Sequence, residues 1–446
     1  MSAPDQMLFP NRIAFHPQNA QEALRLTPAR PAVFLLQGET GEPYLNQTQD
    51  LRRRLTRLLL PSAAQGRRLQ LAAMVRTIAW AETASDFSAQ WLLYRATRAA
   101  FGDRAARRLH LRSPFFARMG MRNRYPRVWT TQSLSPAARN DLFGPFPSRH
   151  TAERYVEQML DLHLLRRCFQ DLDPDPAFPG CIYSEMKKCL APCYKGCSDR
   201  RYDEEAAAVH AFLRTRGVNR LTALAAERER ASEALDFEAA SDAHARYGKA
   251  EAVRAIASEL AGALADQHAI LVQPSAAQDE VALYRLHQGI LTGPEPLSIL
   301  GMRLPNEASG SSSLFAHPAA FAPIPLGAGA SAASPAPPDE RLRTALTALK
   351  AAHSAGSQHD LCEHQSLFAR WYFRPQQKRV GELIAADPET REISNKALLR
   401  AAARVYVASL PVAALPGVAL PGVALPGAVA LPDAQPSATE EPDPAS

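Results

Sequence analysis

Five of the six cysteines of this 446-residue chain fall between Cys168 and Cys197, in the spacing Cys168-x12-Cys181-x7-Cys189-x3-Cys193-x3-Cys197. Thiolates are soft ligands that suit zinc or an iron–sulfur cluster. The short step from Cys189 to Cys193 puts two sulfurs on one side of a turn that Pro192 stiffens. Lys187, Lys188 and Lys195 stand close by in sequence; their charge favours thiolate and offsets the negative charge of a cluster. A set of buried structural thiols is the plain alternative, and the density of cysteines speaks against it. The spacing does not choose between zinc and iron–sulfur, and either needs only four of the five. Tight clustering points to metal rather than disulfides. The start, MSAPDQMLFPNR, lacks the basic-then-apolar layout of a secretory leader. No run approaches the ~20 apolar residues that span a bilayer. The expectation is a cytoplasmic protein with no membrane partner.

A second constellation is basic. Between Leu51 and Arg127 stand 17 arginines, no lysine, and only Glu82, Asp86 and Asp103 as acids, although the net charge of the chain is just +6. Guanidinium groups at that density repel one another unless anions are near, and their planar fork matches phosphate. A DNA contact through Arg52, Arg53, Arg54, Arg57, Arg122 and Arg124 is the functional reading; a solvated basic face is the bland one.

The elements that must position these groups can be read coarsely. Residues 1–29 look irregular. Ala32–Leu36 reads as a buried strand, Gly38–Glu42 as a turn and Pro43–Leu45 as the start of a second strand. Asp50 caps a helix through Leu51, Leu55, Leu58 and Leu59. Leu69–Ala79 is apolar and of no clear type, Ala89–Phe101 reads as a helix, and Arg124–Thr130 closes the unit as a strand. Leu142–Phe146 reads as a turn, after which Ser148 caps a helix carrying Val156, Met159, Leu160 and Leu164 and delivering Cys168 at its end. Helices over 202–215, 219–235 and from Phe237 to about Ala265 follow, the last two folding back at Asp236 as an antiparallel hairpin. Its expected apolar seam is Leu221, Leu224, Leu235, Phe237, Ala240 and Tyr247. Ala269–Val272 and Val281–Tyr284 read as short strands. Residues 305–338 have linker composition, 339–404 a helical pattern, and 405–446 the Pro- and Ala-rich composition of a disordered tail.

Several of these segments resemble one family. Leu142-Phe143-Gly144-Pro145-Phe146, Arg167-Cys168, Gly180-Cys181-Ile182-Tyr183 and Lys188-Cys189-Leu190-Ala191-Pro192-Cys193 resemble the cysteine region of the UvrC family of bacterial excision-repair nucleases. Ala231–Ala240 resembles that family's UVR motif. Pro31–Phe34, Pro43–Asn46 and Asp50–Arg54 resemble its GIY-YIG nuclease module. The resemblance covers about residues 30–300. It implies an α/β GIY-YIG-like N-terminal domain (28–131), a mostly α cysteine-rich region (140–200), a helical region with the hairpin (202–266), a short β-like segment (267–304), and then linker, helical island and tail without the family's C-terminal endonuclease.

The resemblance also implies roles. Cys168, Cys181, Cys189 and Cys193 match the ligands of a [4Fe–4S] cluster, with zinc as the alternative and Cys197 extra to the pattern. Leu235, Phe237, Glu238 and Ala240 match the surface that docks on UvrB, the helicase of the excinuclease, although His244-Ala245 replaces an Arg-Asp pair. In the nuclease module a tyrosine acts as base, a Lys and an Arg steady the phosphate and a Glu holds the divalent ion. Here Tyr44 and Arg54 remain. Phe34, Asn46 and Gln47 replace a tyrosine, a glycine and a lysine, and no acid stands near Trp91–Tyr94, where the Glu belongs. Without that carboxylate the ion, expected to be Mg only if activity survives, loses its main ligand. The implied function is an excision-repair protein that binds DNA and the helicase UvrB with little or no nuclease activity. A divergent single-incision nuclease using Glu82 or Asp86, and an iron–sulfur scaffold without a DNA role, are the alternatives.

Overall fold

The structure, a computed structural model, describes residues 8–60, 71–302, 336–353, 356–388 and 390–410. Most of the linker expected at 305–338 and most of the tail expected at 405–446 lie outside these residues. The protein is a mixed α/β fold built on three antiparallel sheets.

The first sheet has the order β1-β4-β2-β3: Asn11–Ala14, Val75–Glu82, Ala32–Gly38 and Tyr44–Thr48. Two expectations change here. Residues 11–14 are not irregular but pair with β4, Asn11 opposite Trp80, and helix α1 (Ala20–Arg25) buries Ala20, Ala23 and Leu24 on the same core. Their apolar run was too short to show a period. The ambiguous stretch before Ala79 resolves into one helical turn, Leu71–Met74, and the central strand β4. From Ile78 to Ala81, β4 is buried on both faces and reads as an apolar run rather than an alternation, so periodicity could not identify it.

Helix α2 (Leu51–Leu59) follows β3. Asp50 accepts a hydrogen bond from the Arg53 backbone N–H at 2.9 Å, and Leu51, Leu55 and Leu59 are buried at helical spacing. Helix α3 (Asp86–Phe101), capped by Ser85, starts three residues before the expected Ala89 and lies against the sheet.

The second sheet has the order β6-β5-β7: Val128–Thr131, Phe115–Met119 and Leu142–Phe146. The strand expected to close the first unit therefore belongs to a different sheet, and the expected turn at 142–146 is a fully buried strand. Gly144 lets the chain cross Phe116 closely: a Cβ there would lie 2.7 Å from the ring. Helix α4 (Arg149–Leu160), capped by Ser148, packs Ala152, Tyr155, Val156 and Met159 into this core. It ends at Leu160, so Cys168 sits on the following coil rather than at the helix end. Helices α5 (Asp199–Thr215), α6 (Val218–Glu233) and α7 (Phe237–Ile256) follow, with α6 and α7 closely paired as a hairpin.

The third sheet has the order β10-β9-β8-β11: Ile290–Ser298, Glu280–His287, His268–Pro274 and Glu382–Ala385. The helical pattern after residue 338 is not an island. Strand β11 adds to the edge of β8, Ile384 opposite Ile270. Helices α8 (Pro338–Ala351) and α10 (Asn395–Ser409) cover one face with Leu342, Leu349, Leu398 and Val405. Helix α9 (Gln358–Tyr372) covers the other, where Leu367, Phe368 and Trp371 meet Phe87, Trp91 and Tyr94 of α3. The described residues up to Ser409 form one compact unit.

Candidate functional site

Strand β3 and helix α2 bring Tyr44 and Arg54 together across ten residues of sequence. The Arg54 Nη2 donates to the Tyr44 hydroxyl at 3.4 Å, and Asn46 Nδ2 donates to it at 3.0 Å. Register sets this geometry. Tyr44 stands opposite Leu36 and Asn46 opposite Phe34, so Tyr44 and Asn46 share a face of the strand. The Phe34 ring, fully buried, lies 6.1 Å from that of Tyr44. All three partners of the tyrosine are therefore neutral or cationic.

The acids of this region are committed elsewhere. Glu82 pairs with Arg30 at 3.2 Å, Glu39 with Arg76 at 2.8 Å, and Glu42 with Arg104 at 3.0 Å and with Arg108. Asp86 pairs with Arg374 at 2.7 Å and accepts from Gln49 Nε2 at 3.3 Å. Among the described residues, no group of three or more Cys, His, Asp or Glu side chains is drawn together tightly enough to hold an ion as it stands.

The six arginines singled out from the sequence separate into two places and several roles. Arg52 is pinned to the carbonyls of Thr27 (2.8 Å) and Arg25 (3.2 Å), so it ties α2 to α1. Arg53 and Arg57 are exposed on α2. Arg122 is exposed at the β5–β6 turn, and Arg124 beside it pairs with Asp199 at 3.1 Å. That second place carries stacked groups the sequence did not reveal. Arg127 lies over the rings of Trp129 (5.2 Å) and Phe169 (4.5 Å), and Phe169 is 70% exposed.

The cysteine loop hangs from α5 by buried polar contacts. The Tyr202 hydroxyl donates to the Pro126 carbonyl at 2.8 Å and receives the Arg166 N–H at 3.2 Å. Arg166 donates to the carbonyls of Tyr125 (3.0 Å) and Gln170 (2.7 Å) and reaches Cys168 Sγ at 3.8 Å. Glu205 accepts from His163, from the Leu164 N–H at 2.9 Å and from Arg201 at 2.9 Å. The His163 bond foremost, with these others against the cost of burial, holds its carboxyl down at about 2.

None of the six cysteines forms a disulfide, and all are half-buried. Burial first, then the charges of Cys168, Cys181 and Cys193, push the Cys189 thiol up to about 11. The Ala191 N–H, 3.3 Å from Cys189 Sγ, opposes that rise. Cys193 is raised by burial and by Cys181 and Cys168. The four thiols thus feel one another's charge. Cys197 lies apart, raised by burial and feeling only Cys193 among them. Cysteine thiols with a guanidinium and a backbone N–H beside them are a donor set of the thiolate type, but among the described residues they do not stand assembled as a metal-binding group.

At the hairpin tip Leu235 and Phe237 are 73% and 72% exposed. They are not in the seam between α6 and α7, which is made by Leu221, Leu224 and Ala250 with Tyr247 and Leu162. Glu238 is exposed and Ala240 half-buried. The turn places Leu235 at φ +58°, and Asp236 caps α7 by accepting from the Ala239 N–H at 3.0 Å.

One further cluster carried no sequence signal. Tyr94 on α3 donates to the Glu363 carboxylate of α9 at 2.7 Å, and Arg98 approaches Glu363 at 3.6 Å. Burial and the Glu363 bond push the Tyr94 hydroxyl far above its ordinary range. The partners are 269 residues apart.

These features define an α/β protein with a four-thiol loop between an arginine-edged sheet and an exposed helical hairpin. Residues 115–212 match the family described as UvrC/Cho excinuclease, middle domain. The UvrABC system protein C of Pediococcus pentosaceus is 24% identical over 238 residues, 50% of this chain and 37% of that protein. That of Sodalis glossinidius is 27% identical over 242 residues (53% and 38%), and that of Idiomarina loihiensis 33% over 104 residues (23% and 17%). No solved structure matches. The chain is thus similar to UvrC proteins over about half its length, with residues 115–212 resembling their middle domain. It spans less than two-fifths of the length of these relatives.

Proposed function

We propose that this protein acts in nucleotide excision repair in the cytoplasm, binding DNA and the helicase UvrB, with little or no nuclease activity of its own. The observation that carries this reading is the set of contacts at Tyr44. A tyrosine and an arginine of a GIY-YIG-like site stand within 3.4 Å of each other, while the acids around them are paired with arginines. A site without a free carboxylate has lost its main means to fix a divalent ion, and with it the activation of water and the neutralisation of the phosphate. Arg53 and Arg57 remain exposed on the same helix, so the unit keeps contact with phosphate backbone without sequence preference. The exposed Leu235 and Phe237, flanked by Glu238 and Ala240, supply the surface for UvrB.

In this reading Cys168, Cys181, Cys189 and Cys193 hold a [4Fe–4S] cluster, with zinc as the alternative occupant. The group, when bound, cross-links four loop positions and neutralises thiolate charge. Arg166 steadies the loop from Tyr125 and Gln170, and the Ala191 N–H orients Cys189. Anaerobic purification is the test: brown protein with iron and sulfide is expected, and colourless protein carrying zinc supports the alternative.

A second reading has one observation in its favour. Asp86 reaches Gln49 just past the end of β3, and a rearranged Arg374 would free it to bind Mg. Cleavage of an end-labelled duplex with magnesium or manganese separates the two. No incision is expected. Turnover that disappears in Tyr44→Phe would replace the first reading with the second, and failure to bind duplex DNA at low salt would remove the DNA role altogether.

A further inference from the structure

The face of the third sheet that packs under α8 and α10 changes character at one end. On β9, Val281 and Leu283 lie in the apolar seam, and the two-residue repeat of a strand carries the same face on to Arg285 and His287. His268 stands opposite His287 on β8, their ring centroids 5.2 Å apart and nearly perpendicular. His353, two residues past the end of α8, brings a third ring edge-on to His287 at 5.0 Å. Three imidazoles and the side chain of Arg285, a residue 8% exposed, therefore share one corner.

The corner holds buried nitrogens that meet no partner, a donor on the guanidinium and imidazole nitrogens that become donors once their rings are protonated. Arg285 Nε, His287 Nδ1 and His353 Nδ1 are buried without a hydrogen-bond partner. The charges acting on the three rings are basic from every side: Arg285 on β9, Arg139 on the 136–141 turn, and Lys350 on α8, besides the rings themselves. The Arg391 backbone adds a hydrogen bond at His268. Burial and these charges depress all three histidines, His287 to about 4. The buried Arg285 donor left unmet is destabilising, and like charges crowded together add to that. A cation would meet the same repulsion. An oxyanion would answer every donor at once, which is the chemistry that guanidinium and imidazolium groups recognise best.

We propose that Arg285, His268, His287 and His353 form a binding site for a phosphate group, supplied either by free inorganic phosphate or by the terminal phosphate of a nucleic-acid strand. The site is separate from the cysteine loop and from Tyr44, and it does not rest on the excision-repair reading. Empty, the rings are neutral near pH 7. A bound dianion favours their protonated forms, so binding takes up protons and tightens as the pH falls.

The test is calorimetric titration of the full chain, purified without phosphate, with inorganic phosphate at pH 6 and pH 8 and constant ionic strength. Saturable binding is expected, roughly tenfold tighter at pH 6, and weakened at least about tenfold in His287→Gln and His353→Gln. A 5′-phosphorylated oligonucleotide compared with its 5′-hydroxyl twin assigns the source: preference for the phosphorylated strand assigns a strand end, and equal binding assigns free phosphate. Absence of saturable phosphate binding at both pH values, or unchanged binding in both variants, overturns the proposal. So does zinc binding that both variants abolish while phosphate fails to bind. Should the variants not fold, thermal unfolding of the unaltered chain decides: stabilisation by phosphate over chloride at pH 6 supports the site, and equal melting overturns it.

Discussion

Glu205 does at the residue scale what no single motif residue does: it fastens the chain leading to Cys168 onto α5 through three acceptor contacts. Its carboxyl is held at about 2, below the ordinary carboxylate value of 4.5. A depressed folded-state value means that the stabilisation is fully present above pH 4.5 and is lost as the pH falls through about 2. Glu205→Gln is therefore expected to cost on the order of 2 kcal/mol at pH 7, with the gap to the unaltered chain narrowing at pH 3; urea unfolding at the two pH values measures it. The cysteines behave differently. Cys189→Ala removes a thiol whose neighbours are the other three, and is expected to abolish metal retention on anaerobic purification. Cys197→Ala, remote from all but Cys193, is expected to retain it; equal loss in both would place Cys197 among the ligands.

The hairpin is the element whose parts separate most cleanly. Its paired helices are held by Leu221, Leu224 and Ala250, while its tip offers Leu235 and Phe237 to solvent. Large exposed side chains add little to the stability of the free protein. Phe237→Ser is expected to leave the free energy of urea unfolding within about 0.5 kcal/mol of the unaltered chain and to abolish capture of purified UvrB. Leu235→Gly is the sharper probe, since Leu235 occupies a left-handed turn position at φ +58° that glycine adopts without strain. It is expected to hold or raise stability by about 0.5–1 kcal/mol while weakening the same capture. A drop in stability would mean that the tip packs on the protein itself.

On the scale of the whole molecule, the N-terminal and C-terminal sheets share one core through α3. Trp91 donates to the Gly293 carbonyl at 2.8 Å, the Tyr284 hydroxyl meets Ser88 at 3.0 Å, and Tyr94 reaches Glu363. The face of α3 that carries Trp91 and Tyr94 is spent on packing between sheets. Tyr94→Phe leaves a buried carboxylate without its strongest donor and is expected to cost about 1–3 kcal/mol, read as a lower midpoint in a single unfolding transition reported alike by tryptophan fluorescence and circular dichroism. Two separate transitions would mean that the sheets unfold independently.

The sequence by itself determined whatever rests on local chemistry: the cysteine spacing, the Asp50 and Ser148 caps, the helical hairpin at Asp236 and the strands around Phe34 and Tyr44. Each follows from residue type and short-range period, which need no partner from elsewhere. It also shows no acid between Trp91 and Tyr94. Only the tertiary structure decided which strand joins which sheet. The stretches 78–81 and 142–146 are buried throughout, so they lack the alternation that marks a strand, and 382–385 becomes one by pairing with β8 across more than a hundred residues. The arginines show the same division. Their number was legible, but whether a guanidinium meets a carbonyl, as Arg52 does, a carboxylate, as Arg124 does, or solvent, as Arg53 does, depends on what the fold places within reach.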